Sequence, residues 1–345
     1  GAWTGVSDGT HLGARSTYRL GAGRASEMTA VGFALSSELH GPSELVEQAV
    51  RAEAAGFDFV AVSDHYHPWL PAQGESPFAW TTLGGVARAT ENVRIGTGVT
   101  CPTVRYHPAN LAQATATTAA MCDGRFFFGV GSGERLNEHV HGDHWPPATK
   151  RLEMLREAVF VIRALWTGEE ITHDGEYYTV ENARLFTLPD DPPPIYGSAY
   201  GPRAAQTVAE FSDGLYTVGP QERVKAAYED ADGDGPTYAQ MSVCYEETEE
   251  AAIDTGHEQW PVTALPGELN SQLSTPAHFE QACQMVSKDD LAEGSLVTDP
   301  DPTTHVENIE QFVEQGFDNV VVHQVGTDVD GLFETYETDV LPAIK

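Results

Sequence analysis

The sequence predicts a parallel (β/α)8 barrel. Three observations carry that expectation: the chain length, an alternation of apolar β-branched runs with amphipathic helical runs, and the number of those runs. The 345 residues suit one barrel with an insertion, since such barrels take about 250 residues and tolerate additions in their loops. From about Ala30 to Val325, runs such as Phe59-Val60-Ala61-Val62 and Val320-Val321-Val322 alternate with helical faces, the pattern of a parallel α/β fold. Two units share one device. Leu45, Val46, Ala49 and Val50 form a face that Gly56 stops before Phe57-Asp58 lead into a strand, and Val306, Ile309, Phe312 and Val313 do the same ahead of Gly316 and Phe317-Asp318. Helix, glycine cap, strand is an αβ turn. The runs place strands near 31–35, 59–63, 94–99, 126–130, 194–198, 214–218, 240–245 and 319–323, which is the eight that a barrel needs. A doubly wound open sheet shares this alternation, because periodicity alone cannot close a sheet. Residues 246–294 are less periodic and read as an insertion before the last strand, inside a single domain spanning 28–345. Residues 1–27 lack an apolar core and helical periodicity, and read as a disordered extension or cloning remnant.

Composition narrows the partners. Hydrophobic residues make up 41% of the chain and charged ones 21%, enough for a buried core, and no stretch nears the roughly 18 apolar residues of a membrane span. Acidic residues number 52 against 19 basic ones, for a formal net charge of −33, and only four of the basic residues are lysines: Lys150, Lys225, Lys288 and Lys345. Such a chain repels nucleic acid and anionic membrane, both of which need a basic patch. The carboxylates are spread along folded-looking segments, which points to a halophile's surface that holds water under heavy salt screening. Cys101, Cys122, Cys244 and Cys283 are widely spaced with no C-x-x-C pair, so they read as reduced, buried thiols of a cytoplasmic protein.

In a barrel, function sits on the loops that follow the strands. The second strand ends in Ser63-Asp64-His65-Tyr66-His67-Pro68-Trp69, the third in Gly98-Val99-Thr100-Cys101-Pro102, the fourth in Gly131-Ser132-Gly133-Glu134 and the fifth in Ser198-Ala199-Tyr200-Gly201-Pro202. An imidazole at His65 accepts a proton near neutral pH, given an unperturbed pKa of roughly 6.5. Asp64, His65 and His67 equally suit the metal site of a hydrolase, although that class needs histidines after middle strands and an aspartate after the last, where this chain offers His323. His139, His141 and His144 have metal-like spacing but sit in a polar stretch, as solvated loop histidines do. Gly131 and Gly133 let backbone approach a ligand, and the Glu134 carboxylate beside them suits an acid or an orienting group. A helix starting near Pro202 offers backbone amides to a phosphate without any lysine.

Taken together, VSDHYHPW (62–69), GTGVTCPTVRYHPA (96–109), FFFGVGSGERLNE (126–138), LWTGEEITHDGEYYTV (165–180) and IYGSAYGP (195–202) resemble the F420-dependent branch of the luciferase-like oxidoreductases, near its glucose-6-phosphate and secondary alcohol dehydrogenases. The resemblance runs in order from Val31 to Lys345. It implies a luciferase-like (β/α)8 barrel, a homodimer, and coenzyme F420 lying across the strand ends. It further implies that His65 takes the substrate hydroxyl proton as hydride leaves for the deazaflavin ring, with Trp69 walling the substrate and Glu134 near the ring nitrogen. Asp64, Gly98, Val99, Cys101, Asn137, Tyr200 and Gly201 would hold the coenzyme, with a cis peptide between Gly98 and Val99. The sugar-phosphate enzymes grip their substrate phosphate with basic residues, and the matching points here read Pro220, Gln281 and Gly294. The expected substrate is therefore an uncharged small molecule, a free sugar or secondary alcohol, with a glucose-6-phosphate dehydrogenase as the alternative. A metal-dependent hydrolase and a barrel that binds a flavin-like ligand without turnover are the readings from other classes.

The charge alone yields a test. Screening acts over about 8 Å at physiological salt and about 3 Å near 1 M, so the melting temperature should climb steeply with added KCl, the fold should fail in dilute buffer, and activity should peak at molar salt. A melting temperature indifferent to salt would contradict the reading.

Overall fold

The computed structural model describes residues 29–345; the extension expected over residues 1–27 lies outside the described residues. Ten strands form among these: β1 (Ala30–Leu35), β2 (Phe59–Val62), β3 (Arg94–Thr97), β4 (Phe126–Val130), β5 (Ile171–Asp174), β6 (Thr179–Ala183), β7 (Ile195–Ser198), β8 (Gly214–Val218), β9 (Thr237–Val243) and β10 (Asn319–Gln324). All but β5 and β6 pair in parallel and close in the order β1-β10-β9-β8-β7-β4-β3-β2. The barrel is therefore shut and the open-sheet alternative is excluded.

The helices between strands form where the sequence pattern places them. Helix α1 (Pro42–Ala55) starts with proline in its first turn and ends at Gly56, whose φ of 93° lets its N–H reach the Ala52 and Glu53 carbonyls. Helices α2 (Ala79–Ala89), α3 (Pro108–Met121), α4 (Arg135–Glu138), α5 (Ala148–Trp166), α6 (Pro202–Ala209) and α7 (Glu222–Glu229) follow. Between β9 and β10 the chain runs through α8 (Glu249–Gln259), α9 (Leu269–Gln272), α10 (Pro276–Cys283), α11 (Lys288–Ala292) and α12 (Pro302–Glu314). None of the described helices is long and apolar enough to cross a membrane. The four cysteines are buried and unpaired.

Period-two alternation sorts the strand residues into two cores. Val31, Phe33, Leu35, Val60, Val62, Phe126, Phe128, Val130, Val320 and Val322 pack outward under the helices. Phe59, Phe127, Tyr196, Tyr216, Tyr238 and Val321 fill the barrel interior together with Ala34 and Ala61. Large rings fit there because the neighbouring strand carries glycine in register with each, Gly32 beside Phe59 and Gly96 beside Phe127. A Cβ on Gly32 would lie 2.2 Å from the Phe59 ring, and one on Gly96 would lie 2.2 Å from the Phe127 ring. Above the aromatic layer the same alternation delivers small or polar residues, Gly98, Ser198, Gln240 and His323, to the C-terminal mouth. A third cluster, with Leu70, Leu136, Trp260, Val262, Phe279 and Leu291, packs α8, α10 and α11 over one side of that mouth.

Three details differ from the sequence expectation. Strand β3 stops at Thr97, short of the run through 99, and the Gly98–Val99 peptide just beyond it is cis. Strand β9 begins at Thr237, earlier than the run near 240–245. The antiparallel hairpin β5–β6 was not anticipated: its residues are half-exposed and mostly polar, so no apolar run marks them.

Gly96→Ala should destabilise the fold by about 1–3 kcal/mol through overpacking against Phe127, read as a lower denaturant midpoint with an unchanged slope.

Candidate active site

Eight strand ends meet at the mouth, and most of the residues expected from the sequence come together there. His65, directly after β2, places Nδ1 3.1 Å from the His67 carbonyl oxygen. A carbonyl only accepts, so Nδ1 carries the proton in the neutral ring and the lone pair lies on Nε2. That Nε2 is 3.3 Å from Glu38 Oε1, and the imidazole packs against Trp69 with centroids 5.0 Å apart. Trp69 in turn meets Phe279 of α10 at 5.1 Å, so one wall of the base is apolar.

Glu38 was not singled out from sequence. It lies three residues beyond β1, a strand end at which no carboxylate was sought, and it is 2% exposed. Its Oε2 accepts from Ser36 Oγ at 3.2 Å and from Ser63 Oγ at 2.6 Å. Burial pushes its carboxyl up, but His65, the Ser63 hydroxyl and His323 outweigh burial and hold it below its ordinary value. His323, near the end of β10, is buried beside Trp260 at 4.8 Å, and burial holds its imidazole down at about 4 despite the nearby Glu38.

Asp64 points the other way, into a buried network. Its Oδ2 accepts from Thr100 Oγ1 at 2.7 Å, and its Oδ1 accepts from Arg105 Nη2 at 2.9 Å and Tyr106 Oη at 3.0 Å. Arg105 also donates its backbone N–H to Glu138 Oε2 at 2.7 Å, while its Nε and Glu138 Oε1 stand 3.6 Å apart, too far to hydrogen bond. Burial raises the Glu138 carboxyl to about 7; Arg105 opposes this, and Glu134 and Asp64 add to it. Neither Arg105 nor Glu138 stood out in the sequence, because nothing in their spacing reveals burial.

Asn137 accepts from the backbone N–H groups of Tyr66 and His67 at 2.9 and 3.2 Å, which fixes the loop that carries His65. Val99 sits against the fourth strand end, where a Cβ on Gly131 would come within 2.8 Å of it. Cys101 Sγ contacts Thr103 Oγ1 at 2.9 Å and occupies the space beside Gly133, where a Cβ would meet it at 2.5 Å. Glu134 is the half-buried residue preceding α4. Gly201 caps α6, which begins at Pro202 as expected, and Tyr200 beside it is 65% exposed.

The metal reading does not gain a ligand set. His67 Nδ1 faces the Leu136 carbonyl at 3.0 Å, Asp64 is committed to Arg105, and no group of three or more His, Cys, Asp and Glu side chains suited to a metal occurs among the described residues. His139 bonds the Arg135 carbonyl through Nδ1, as an ordinary loop histidine does.

Comparison with known proteins gives a consistent picture. The family described as luciferase-like monooxygenase matches residues 21–319. The F420-dependent glucose-6-phosphate dehydrogenase of Beutenbergia cavernae is 36% identical over 331 residues, covering 92% of this chain and 98% of that protein. That of Nakamurella multipartita is 36% identical over 330 residues, covering 91% and 96%. Among solved structures, an F420-dependent secondary alcohol dehydrogenase in complex with an F420-acetone adduct superposes with a TM-score of 0.85 at 30% identity, over 92% of this chain and 99% of that one. The coenzyme F420 dependent tetrahydromethanopterin reductase of Methanopyrus kandleri, at 22% identity and a TM-score of 0.75 over 93% of this chain and all of its own length, shares the fold. With a closed eight-stranded barrel, a matching family over most of its length and relatives above one third identity, the chain belongs to the luciferase-like family of oxidoreductases.

Proposed function

We propose that this protein is an F420-dependent dehydrogenase that moves a hydride between an uncharged hydroxyl-bearing substrate, a free sugar or secondary alcohol, and the deazaflavin coenzyme. The observation that carries the reading is the His65 imidazole: tied through Nδ1, bare at Nε2, backed by a buried carboxylate and walled by Trp69.

The mouth fits such a coenzyme on its own features. Asn137 Nδ2 and Tyr216 Oη are buried there with no protein partner, and buried polar atoms left so are costly unless a ligand meets them. No heavy atom lies within 4 Å of where a Cβ on Gly201 would stand, so the start of α6 is open to an anion. Gly98, Val99, Cys101, Asn137, Tyr200 and Gly201 would hold the coenzyme, which supplies the hydride acceptor; Asp64, whose carboxylate is spent on Thr100, Arg105 and Tyr106, would serve by fixing the loop that carries His65. The protein's own work is proton management and positioning. As the C–H bond breaks, His65 Nε2 takes the hydroxyl proton, and the imidazolium that forms faces the Glu38 anion 3.3 Å away. Glu134, half-buried ahead of α4, would stand near the coenzyme's ring nitrogen that gains a proton. Trp69 and Phe279 exclude water from the side of transfer.

The substrate class follows from what surrounds the mouth. A phosphate dianion needs charged or backbone donors in exchange for its water. Pro220, Gln281 and Gly294 are exposed and uncharged, Arg203 and Arg223 are exposed, and residues 246–287 hold no lysine or arginine. The relatives named for glucose 6-phosphate support a second reading in which another cation serves the phosphate.

His65→Asn and Glu134→Gln should each lower kcat by about two orders of magnitude or more, the scale of lost acid or base assistance. F420 affinity of the histidine variant, followed by fluorescence quenching, should stay near wild type; full turnover in either variant would remove that residue from the chemistry. The substrate class is decided by kcat/KM for glucose, glucose 6-phosphate and a simple secondary alcohol at molar salt, followed at the deazaflavin absorbance. An uncharged compound should win, and a clear preference for the phosphorylated sugar would establish the second reading instead.

A further inference from the structure

Ser36 and His323 have no part in the chemistry just described, yet they stand buried at the mouth, 2% and 5% exposed. The direction of each hydrogen bond around them can be worked out. Gln240 Nε2 lies 3.2 Å from His323 Nδ1 and donates to it. A neutral imidazole then carries its proton on Nε2, which is 3.2 Å from Ser36 Oγ. Having accepted there, Ser36 turns its own hydrogen to Glu38 Oε2 at 3.2 Å. Ser63 Oγ donates to the same oxygen at 2.6 Å and accepts from the Ser37 N–H at 2.9 Å. Every donor runs toward Oε2, which leaves Oε1, 3.3 Å from His65 Nε2, to accept from that nitrogen once it is protonated.

We propose that Ser36 and His323 are positioning residues for the base, fixing the rotation and the ionised state of Glu38 through a one-way hydrogen-bond chain that starts at Gln240. The proposal rests on the functional reading above for its meaning and on these contacts for its geometry. Two consequences follow from the bond directions. The carboxylate cannot swap its oxygens without abandoning the Ser36 and Ser63 hydroxyls together. A proton captured at His65 also has no exit through the chain, because His323 Nε2 is already protonated on the side that would receive it. The chain therefore orients the dyad and does not drain it. The titratable groups facing Glu38 are His65 after β2 and His323 on β10; His40, after β1, lies close to His323 and is itself paired with Glu44 of α1 at 2.7 Å.

The sign of the pH effect is fixed. Glu38 is held below its ordinary value in the folded protein, so removing donors must raise the pH at which it takes a proton. The experiment uses Ser36→Ala, His323→Leu and His323→Gln, the last keeping an N–H donor toward Ser36. Titration of the ligand-free protein by 13C NMR of labelled glutamate, with the Glu38 signal assigned by its loss in Glu38→Gln, should show the midpoint rising by about one pH unit or more in Ser36→Ala and His323→Leu. His323→Gln should restore it. In turnover, Ser36→Ala should lose kcat by about tenfold with KM within about twofold of wild type, the signature of a mispositioned base. An unmoved Glu38 midpoint in Ser36→Ala, or a glutamine variant as impaired as the leucine one, overturns the proposal. If His323→Leu does not fold, the smaller Ser36→Ala change decides alone. A wild type that turns over no hydroxyl compound with F420 would defeat the functional reading, and the ligand-free titration would still decide this one.

Discussion

One buried guanidinium organises the mouth of this barrel. Arg105 ties its Nη2 to the Asp64 backbone carbonyl at 2.8 Å and to the Asp64 carboxylate at 2.9 Å, and its backbone N–H to Glu138. The loop after β2, the loop after β3 and helix α4 after β4 are thereby held to one point. The pair is almost fully desolvated, with side chains 4% and 0% exposed. Removing one partner of such a pair typically costs about 3–5 kcal/mol, because the remaining charge is left buried and unpaired. Burial raises the Glu138 carboxyl, and the guanidinium, which it shares with Asp64, opposes that rise without cancelling it. His65 and Asn137 stand on the two segments that this cation joins, so the geometry of the base depends on it indirectly.

The barrel interior explains why the mouth is polar at all. Phe59, Phe127, Tyr196, Tyr216 and Tyr238 plug the middle of the barrel, and Arg94 closes the lower end by donating to Tyr238 Oη at 2.8 Å with its guanidinium 5.2 Å from the Phe59 ring centre. With the apolar volume filled below, the next inward layer is free to carry Gln240 and His323. Those side chains satisfy one another and Ser36 before any ligand arrives. Buried polar groups in such a layer are tolerable only when each finds a partner. Asn137 Nδ2 and Tyr216 Oη are among the buried polar atoms that find none.

Much of this was legible in the sequence, and what was not has definite causes. All eight barrel strands announced themselves as short apolar runs, two of them behind a helix stopped by glycine, because parallel strands are buried on both faces. His65, Trp69, Glu134 and the Gly201–Pro202 helix start were legible because strand ends are where a barrel concentrates chemistry. Glu38 escaped since its meaning depends on a partner 27 positions later in the chain. Arg105 looked like any of the 19 basic residues of an acidic protein, and only three-dimensional packing shows that it is spent inside. The β5–β6 hairpin escaped for the opposite reason, being too polar and too exposed to leave an apolar trace.

The distribution of charge ties these strands of argument to the substrate. Of the few cations, Arg94, Arg105, Arg125 and Arg151 are committed to internal acceptors: Tyr238, Asp64, the Val93 carbonyl and the Pro146 carbonyl. What faces the base is Glu38 on one side and aromatic surface from Trp69 and Phe279 on the other. An anionic substrate approaching His65 would meet a carboxylate held ionised by its surroundings and a protein field strongly negative overall. A neutral alcohol meets neither penalty. Its hydroxyl can donate to the bare Nε2, its carbon skeleton can lie on the aromatic wall, and the Glu38 charge becomes favourable only as the proton moves and the imidazolium forms. An interaction that strengthens only in the transition state accelerates the chemical step, and on the proposed reading the Glu38 carboxylate would therefore favour dehydrogenation of an uncharged hydroxyl.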